Sequence, residues 1–172
     1  MKKILIIVLL SLAVLGLSII FSREKKVTTG FVTNVSFNVT EDLFFIHEIV
    51  KYPTNVTVVK LEDSSEVPIG ITGDPWNINF GVLPVGVRGK RTINIANYKQ
   101  PVFRIKIVCY GDICHMITFD KNDFLLHEGE EAQVVATLDT SLSPFSGDYK
   151  GEIDVISDRP KYSFISSILG WS

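Results

Sequence analysis

Three features of this 172-residue chain predict an all-β fold, an antiparallel β-sandwich of about 7 to 9 strands, preceded by one N-terminal transmembrane helix. The chain opens on a long uncharged apolar run. Most of the remaining chain alternates apolar and polar residues with the period of a half-buried strand. Between the alternating segments lie clusters of Gly, Pro, Asn and Asp that punctuate turns. The balance of 17 Lys+Arg against 19 Asp+Glu, a net charge of −2, lacks the basic excess that phosphate binding requires and argues against nucleic acid as a partner. With 46% apolar and 10% aromatic residues the chain can fill a core, and disorder is not expected.

Residues Ile4 to Phe21 are 18 in number and carry no charge. As a helix they would run roughly 27 Å, close to the hydrocarbon thickness of a bilayer. Lys2 and Lys3 precede the run and Arg23, Lys25 and Lys26 follow it, so flanking charge does not set its orientation. A cleaved signal peptide is the alternative, but the run is longer than usual for one and Ile20-Phe21-Ser22 is a poor cleavage site. The expected order is a signal anchor over 1–22, a spacer over 23–30, N-terminal strands over 31–66, the sandwich core over 67–158 and an apolar tail over 159–172.

Three N-x-S/T sequons follow the anchor, at Asn34, Asn38 and Asn55. Phe31 to Thr40 alternates, with Phe31, Val35, Phe37 and Val39 on one face and Asn34, Ser36, Asn38 and Thr40 on the other. Either these asparagines are glycosylated on a solvent-facing edge, or they are ordinary surface residues of an amphipathic strand. Further strands are expected over 55–61, 76–80, 91–96, 102–109, 115–119, 132–138 and 149–156. In 102–109 and 149–156 one face is expected to be buried and the other wet, with Lys150, Glu152 and Asp154 on the wet side. Glu41 to Tyr52 carries Leu43, Ile46 and Val50 at helical spacing and reads equally as a short helix or a strand. Apart from that stretch, no helix is expected after the anchor.

Cys109 and Cys114, the only cysteines, bracket Tyr110-Gly111-Asp112-Ile113. A four-residue hairpin loop would set them opposite each other on adjacent strands, within reach of a disulfide. Two reduced thiols are the alternative. A Cys/His metal site drawn from Cys109, Cys114, His115 and His127 is not expected, because adjacent strand residues such as Cys114 and His115 face opposite ways. No G-x-S-x-G or local Ser/His/Asp grouping is present, so no catalytic residue is assigned. Gly89-Lys90-Arg91-Thr92 lacks the upstream glycine of a phosphate loop. No cofactor, metal or small-molecule substrate is expected.

Trp76 to Gly86, the strand Thr92 to Asn97, Pro101-Val102, Leu126 to Glu130 and Gly147 to Gly151 together resemble the immunoglobulin-like domains of the Hydin (ASH) and major sperm protein type. The resemblance covers Val67 to Ser157 and implies an Ig-like sandwich. Only Pro144 matches the proline-containing turn usual in that group. Its members include cytoskeletal scaffolds, pilus chaperones and surface proteins of bacteria and archaea, and no family catalytic residue carries over.

Arg88, Lys90, Arg91, Lys99, Arg104 and Lys106 concentrate positive charge in one stretch, either as a solvated face or as a contact patch for an acidic partner. The apolar tail from Tyr162 to Trp171 would cover the sandwich, touch the membrane interface or dock a partner. The sequence therefore predicts a single-pass cell-membrane protein of prokaryotic, archaeal type with its C-terminal domain outside the cell. It would bind or scaffold a protein partner at the surface. An accessory subunit of a surface filament is the second expectation, and an enzyme with a dispersed site the third.

Overall fold

The computed structural model describes residues 30–60 and 77–171. The expected anchor over 1–22, most of the spacer and Trp76 lie outside the described residues. Among the described residues no helix is long and apolar enough to cross a membrane. The chain from Phe31 onward is one compact unit, with strands β1 (Ser36–Glu41), β2 (Phe45–Val59), β3 (Ile78–Pro84), β4 (Arg88–Ala96), β5 (Val102–Gly111), β6 (Ile117–Phe119), β7 (Phe124–His127), β8 (Glu131–Asp139) and β9 (Gly147–Pro160).

The ambiguous stretch resolves as a tight turn and a strand. Asp42 accepts the backbone N–H groups of Phe44 and Phe45 at 2.8 and 2.7 Å, an Asx turn that reverses the chain. β2 then runs unbroken for 15 residues, and its content of Ile, Val, Tyr and Thr suits a pleated strand better than a helix. One side of β2 pairs antiparallel with β9 from Phe45↔Pro160 to Val58↔Gly147. The other side is shared end to end. β1 pairs antiparallel with the first half, Phe37 opposite Val50, and β3 pairs parallel with the second, Thr54 opposite Ile78. That parallel pair departs from the all-antiparallel expectation. β5 lies beyond β9 and β7 beyond β5. β4, β8 and β6 form the second sheet, with β8 central.

The core lies between the sheets. Val56, Val58, Phe80, Phe103, Ile105, Ile107, Ile153 and Val155 of the large sheet meet Ile93, Ile117, Val134, Ala136 and Leu138 of the small one. Phe80 is buried, and Gly81 beside it, at φ 74°, a conformation glycine adopts freely, lies where β3 shifts register against β2. Asn97 ends β4 and is buried; it donates to Gln100 O and Leu126 O and accepts the Gln100 N–H.

Several expectations need correction. No residue of β1 joins the core, and its apolar face is open, with Phe37 63% and Val39 47% exposed. The three-stranded sheet is too narrow to cover it. The face of β9 expected to be wet is buried at Glu152 and Asp154, because β9 is a central strand flanked by β2 and β5 and the segment before β1 crosses over it. β7 is a strand that the sequence pattern did not mark. The segment 112–116 is a 3-10 turn rather than part of a hairpin. The tail contains a short helix, α1 (Ser163–Leu169), closed by Gly170 at φ 67°. Its Ile165 and the following Trp171 are buried, and Trp171 packs against Phe45 at 5.9 Å between ring centroids.

Candidate functional site

The cysteines form a disulfide with a Cα–Cα distance of 5.6 Å. Cys109 is on β5, but Cys114 is in the 3-10 turn, so the bridge staples a strand to the corner that follows it instead of two facing strands. Asp112 fixes the same corner by accepting the Lys150 N–H at 2.7 Å. Ile113 and Met116 plug it into the core. Gly111, at φ 109°, and Gly151 are apposed here. A Cβ on Gly151 would collide with Tyr110 O and lie 2.7 Å from Ile113, so the strands can meet only through glycine. With both sulfurs in the disulfide, neither is available to a metal.

All three sequon asparagines are exposed. Asn34 precedes β1 and Asn38 is on it, on the face opposite Phe37 and Val39. Asn55 is on β2 between Asn79 and Lys150 of the neighbouring strands. It borders a polar groove of about 320 Å³, and the hydroxyl of Thr57 in the same sequon donates to Asp148 at 2.6 Å.

The six basic residues do not form one patch. Arg104 and Lys106 point away from the core on β5, and Arg104 is held by Asp123 through two bonds of 2.5 and 2.7 Å. That pairing keeps the Asp123 carboxyl below its usual range. Lys99 is in the loop after β4. Arg88, Lys90 and Arg91 gather on β4. Arg88 pairs with Asp139 at 2.7 Å, and the hydroxyl of Ser141 together with Arg88 brings the Asp139 carboxyl down to about 2.

Two clusters on the outer face of the large sheet were not foreseen. Glu152 and Asp154, two residues apart on β9, share Lys51 from β2 at 2.5 and 3.5 Å, and Glu152 also accepts the Val32 N–H at 2.8 Å. Burial, reinforced by Glu152 beside it, pushes the Asp154 carboxyl up to about 6. Burial also opposes ionisation of Glu152, but Lys51, the Val32 N–H and Asp154 outweigh it and hold that carboxyl below its usual range. Strand alternation revealed that these two acids share a face; nothing local revealed that the face is covered. Near the start of β2, His47 lies between Asp158, 2.5 Å from Nδ1, and Asp42, 3.2 Å from Nε2. Asp158 is far from His47 in sequence while Asp42 is five residues before it, and among the described residues no hydroxyl or thiol is hydrogen-bonded to the imidazole.

A cavity of about 220 Å³ opens beside β4, lined by Tyr52, Asn77, Ile78, Arg91, Thr92, Ile93 and Asn94. Arg91 shares its strand face with buried Ile93. Its Nε donates to Asn79 O at 2.7 Å and Nη1 to Lys90 O at 3.1 Å, and the guanidinium lies 5.7 Å from the Phe80 ring centroid. Nη2 is buried without a hydrogen-bond partner. Among the described residues Arg91 has no ion pair.

Fold and site together define a two-sheet β protein with a disulfide-stapled corner and a cationic cavity at the edge of its smaller sheet. No family model matches the chain, and neither a curated protein nor a solved structure matches it.

Proposed function

We propose that this chain is a membrane-anchored, extracytoplasmic binding or scaffolding domain of Ig-like type, without catalytic activity, at the surface of a prokaryotic, archaeal cell. The observation that carries this reading is the Cys109–Cys114 bridge, since structural disulfides belong mainly to oxidising compartments. The three exposed sequon asparagines agree with it, as does the 18-residue uncharged run from Ile4 to Phe21. His47 is flanked by carboxylates, and among the described residues no nucleophile is bonded to it, an arrangement suited to tying β2 to β9 and to the turn before it rather than to hydrolysis.

Non-reducing peptide mapping by mass spectrometry on the native membrane fraction tests the reading. The expected result is a linked Cys109–Cys114 peptide, glycan mass on one or more of Asn34, Asn38 and Asn55, and an intact N-terminus. Free thiols with three bare asparagines would refute an extracytoplasmic domain.

The second reading, an accessory subunit of a surface filament, draws on β1. Among the described residues this strand pairs on one side only, and it exposes Phe37 and Val39, features that favour strand addition between subunits. Co-purification with a fibre, lost in Phe37→Glu, would favour it over the scaffold.

A further inference from the structure

A buried guanidinium N–H without an acceptor, on an arginine without a carboxylate to balance it, is costly unless an anion reaches it. Among the described residues Arg91 meets both conditions. Its Nε and Nη1 are anchored to backbone carbonyls, so the fork is held in place and Nη2 is the nitrogen left without an acceptor. No acidic residue is among the described residues that line the cavity.

The surroundings define the form in which an anion would arrive. About 220 Å³ is below the roughly 300 to 1,000 Å³ usual for small-molecule sites, and suits a single side chain. Thr92, Ile93 and Asn94 of the lining belong to β4, an edge strand that among the described residues pairs only with β8. The cavity therefore opens beside backbone groups able to accept another strand. Exposed Lys90 and Arg88 continue the positive charge along the same edge, and Lys90 has no ion pair among the described residues. Tyr52, Ile78 and Ile93 supply wall for the methylenes of an acidic side chain.

We propose that the free edge of β4 receives an extended acidic segment of a partner protein, one Glu or Asp side chain of which enters the cavity and meets Arg91 Nη2. Backbone pairing would supply affinity and the cavity specificity, as in other strand-addition complexes. The proposal rests on the reading of the chain as a binding domain and names the chemistry of its partner. Its test is independent of the glycan and disulfide mapping, so failure here would leave the topology result standing.

The test uses the full chain in detergent micelles and two labelled peptides, Thr-Val-Thr-Glu-Val-Thr-Val and the same peptide with Gln for Glu, followed by fluorescence anisotropy. The Glu peptide is expected to bind at least about tenfold more tightly than the Gln peptide. Arg91→Gln is expected to erase that difference, and Arg91→Lys to keep only part of it, because the planar fork is lost. Succinate, a free acid, is expected to compete only at millimolar concentration. Equal binding of the two peptides, or a preference that survives in Arg91→Gln, overturns the proposal. Succinate binding as tightly as the Glu peptide overturns the strand in favour of a free acid. Should Arg91→Gln fold poorly, the arginine Nε–H NMR signals of the unmutated protein decide. One is expected to shift with the Glu peptide and not with the Gln peptide, and no acid-dependent shift with either peptide or succinate overturns the proposal.

Discussion

Asp154 holds its proton up to about pH 6, well above the ordinary value of 3.8. A raised carboxyl pKa in the folded state means that its contribution to stability is complete below about pH 3.8 and is lost as the pH rises through 6. Glu152, held low, contributes in the opposite sense, above about pH 4.5. Asp154→Asn retains the shape and an N–H donor for Glu152 without the buried charge. It is expected to stabilise the protein by on the order of 1 to 3 kcal/mol at pH 7.5 and by much less at pH 4.5, read as the difference in Tm between mutant and parent at the two pH values. Asn97 is the contrasting residue, buried but fully used, with three side-chain bonds that tie the β4–β5 turn to β7. Asn97→Ala is expected to cost about 2 kcal/mol by leaving buried backbone groups unsatisfied. In a urea titration the midpoint should fall with little change in slope.

At the scale of elements, the corner from β5 through the 3-10 turn depends on glycines more than on the disulfide. Closing so short a loop contributes only about 2 kcal/mol by chain entropy. A methyl group on Gly151 would collide with Tyr110 O and meet Ile113 at 2.7 Å. Gly151→Ala is therefore expected to destabilise by on the order of 3 kcal/mol, more than reduction of the bridge, when the two are compared in parallel thermal melts. The sequence made some elements easy to read and others not. Phe103, Ile105 and Ile107 alternate because β5 has one face on the core, and the predicted strand matches β5 to within two residues. β7 was invisible because four residues contain barely one alternation and Leu125-Leu126 breaks it. The first half of β2 misled because both of its faces are partly covered, which removes the polar side that marks a strand. Of the candidate sites, the cysteine pair was legible from spacing alone. The Arg91 cavity was not, because it joins residues from β2, β3 and β4 that only the packing of the two sheets brings together.

For the whole molecule, the long ladder between β2 and β9 decides how force passes through it. The chain enters at Ser36, which is level with Lys51 and Asp154 in the sheet, and β1 runs from there toward the end where β9 finishes at Pro160. Tension between residue 30 and residue 171 therefore acts along the strands from opposite ends and strains many cross-strand hydrogen bonds at once. Tension between Leu43 and residue 171 starts with both attachment points at one end, where Phe45 meets Pro160, and parts the ladder one pair at a time. Single-molecule pulling is expected to give a severalfold higher rupture force in the first geometry than in the second, and equal forces would contradict this path. A domain tethered at its N-terminal side and gripped near its C-terminal end would thus resist in shear, the stronger of the two directions, and would behave as a mechanical link as well as a surface for contact.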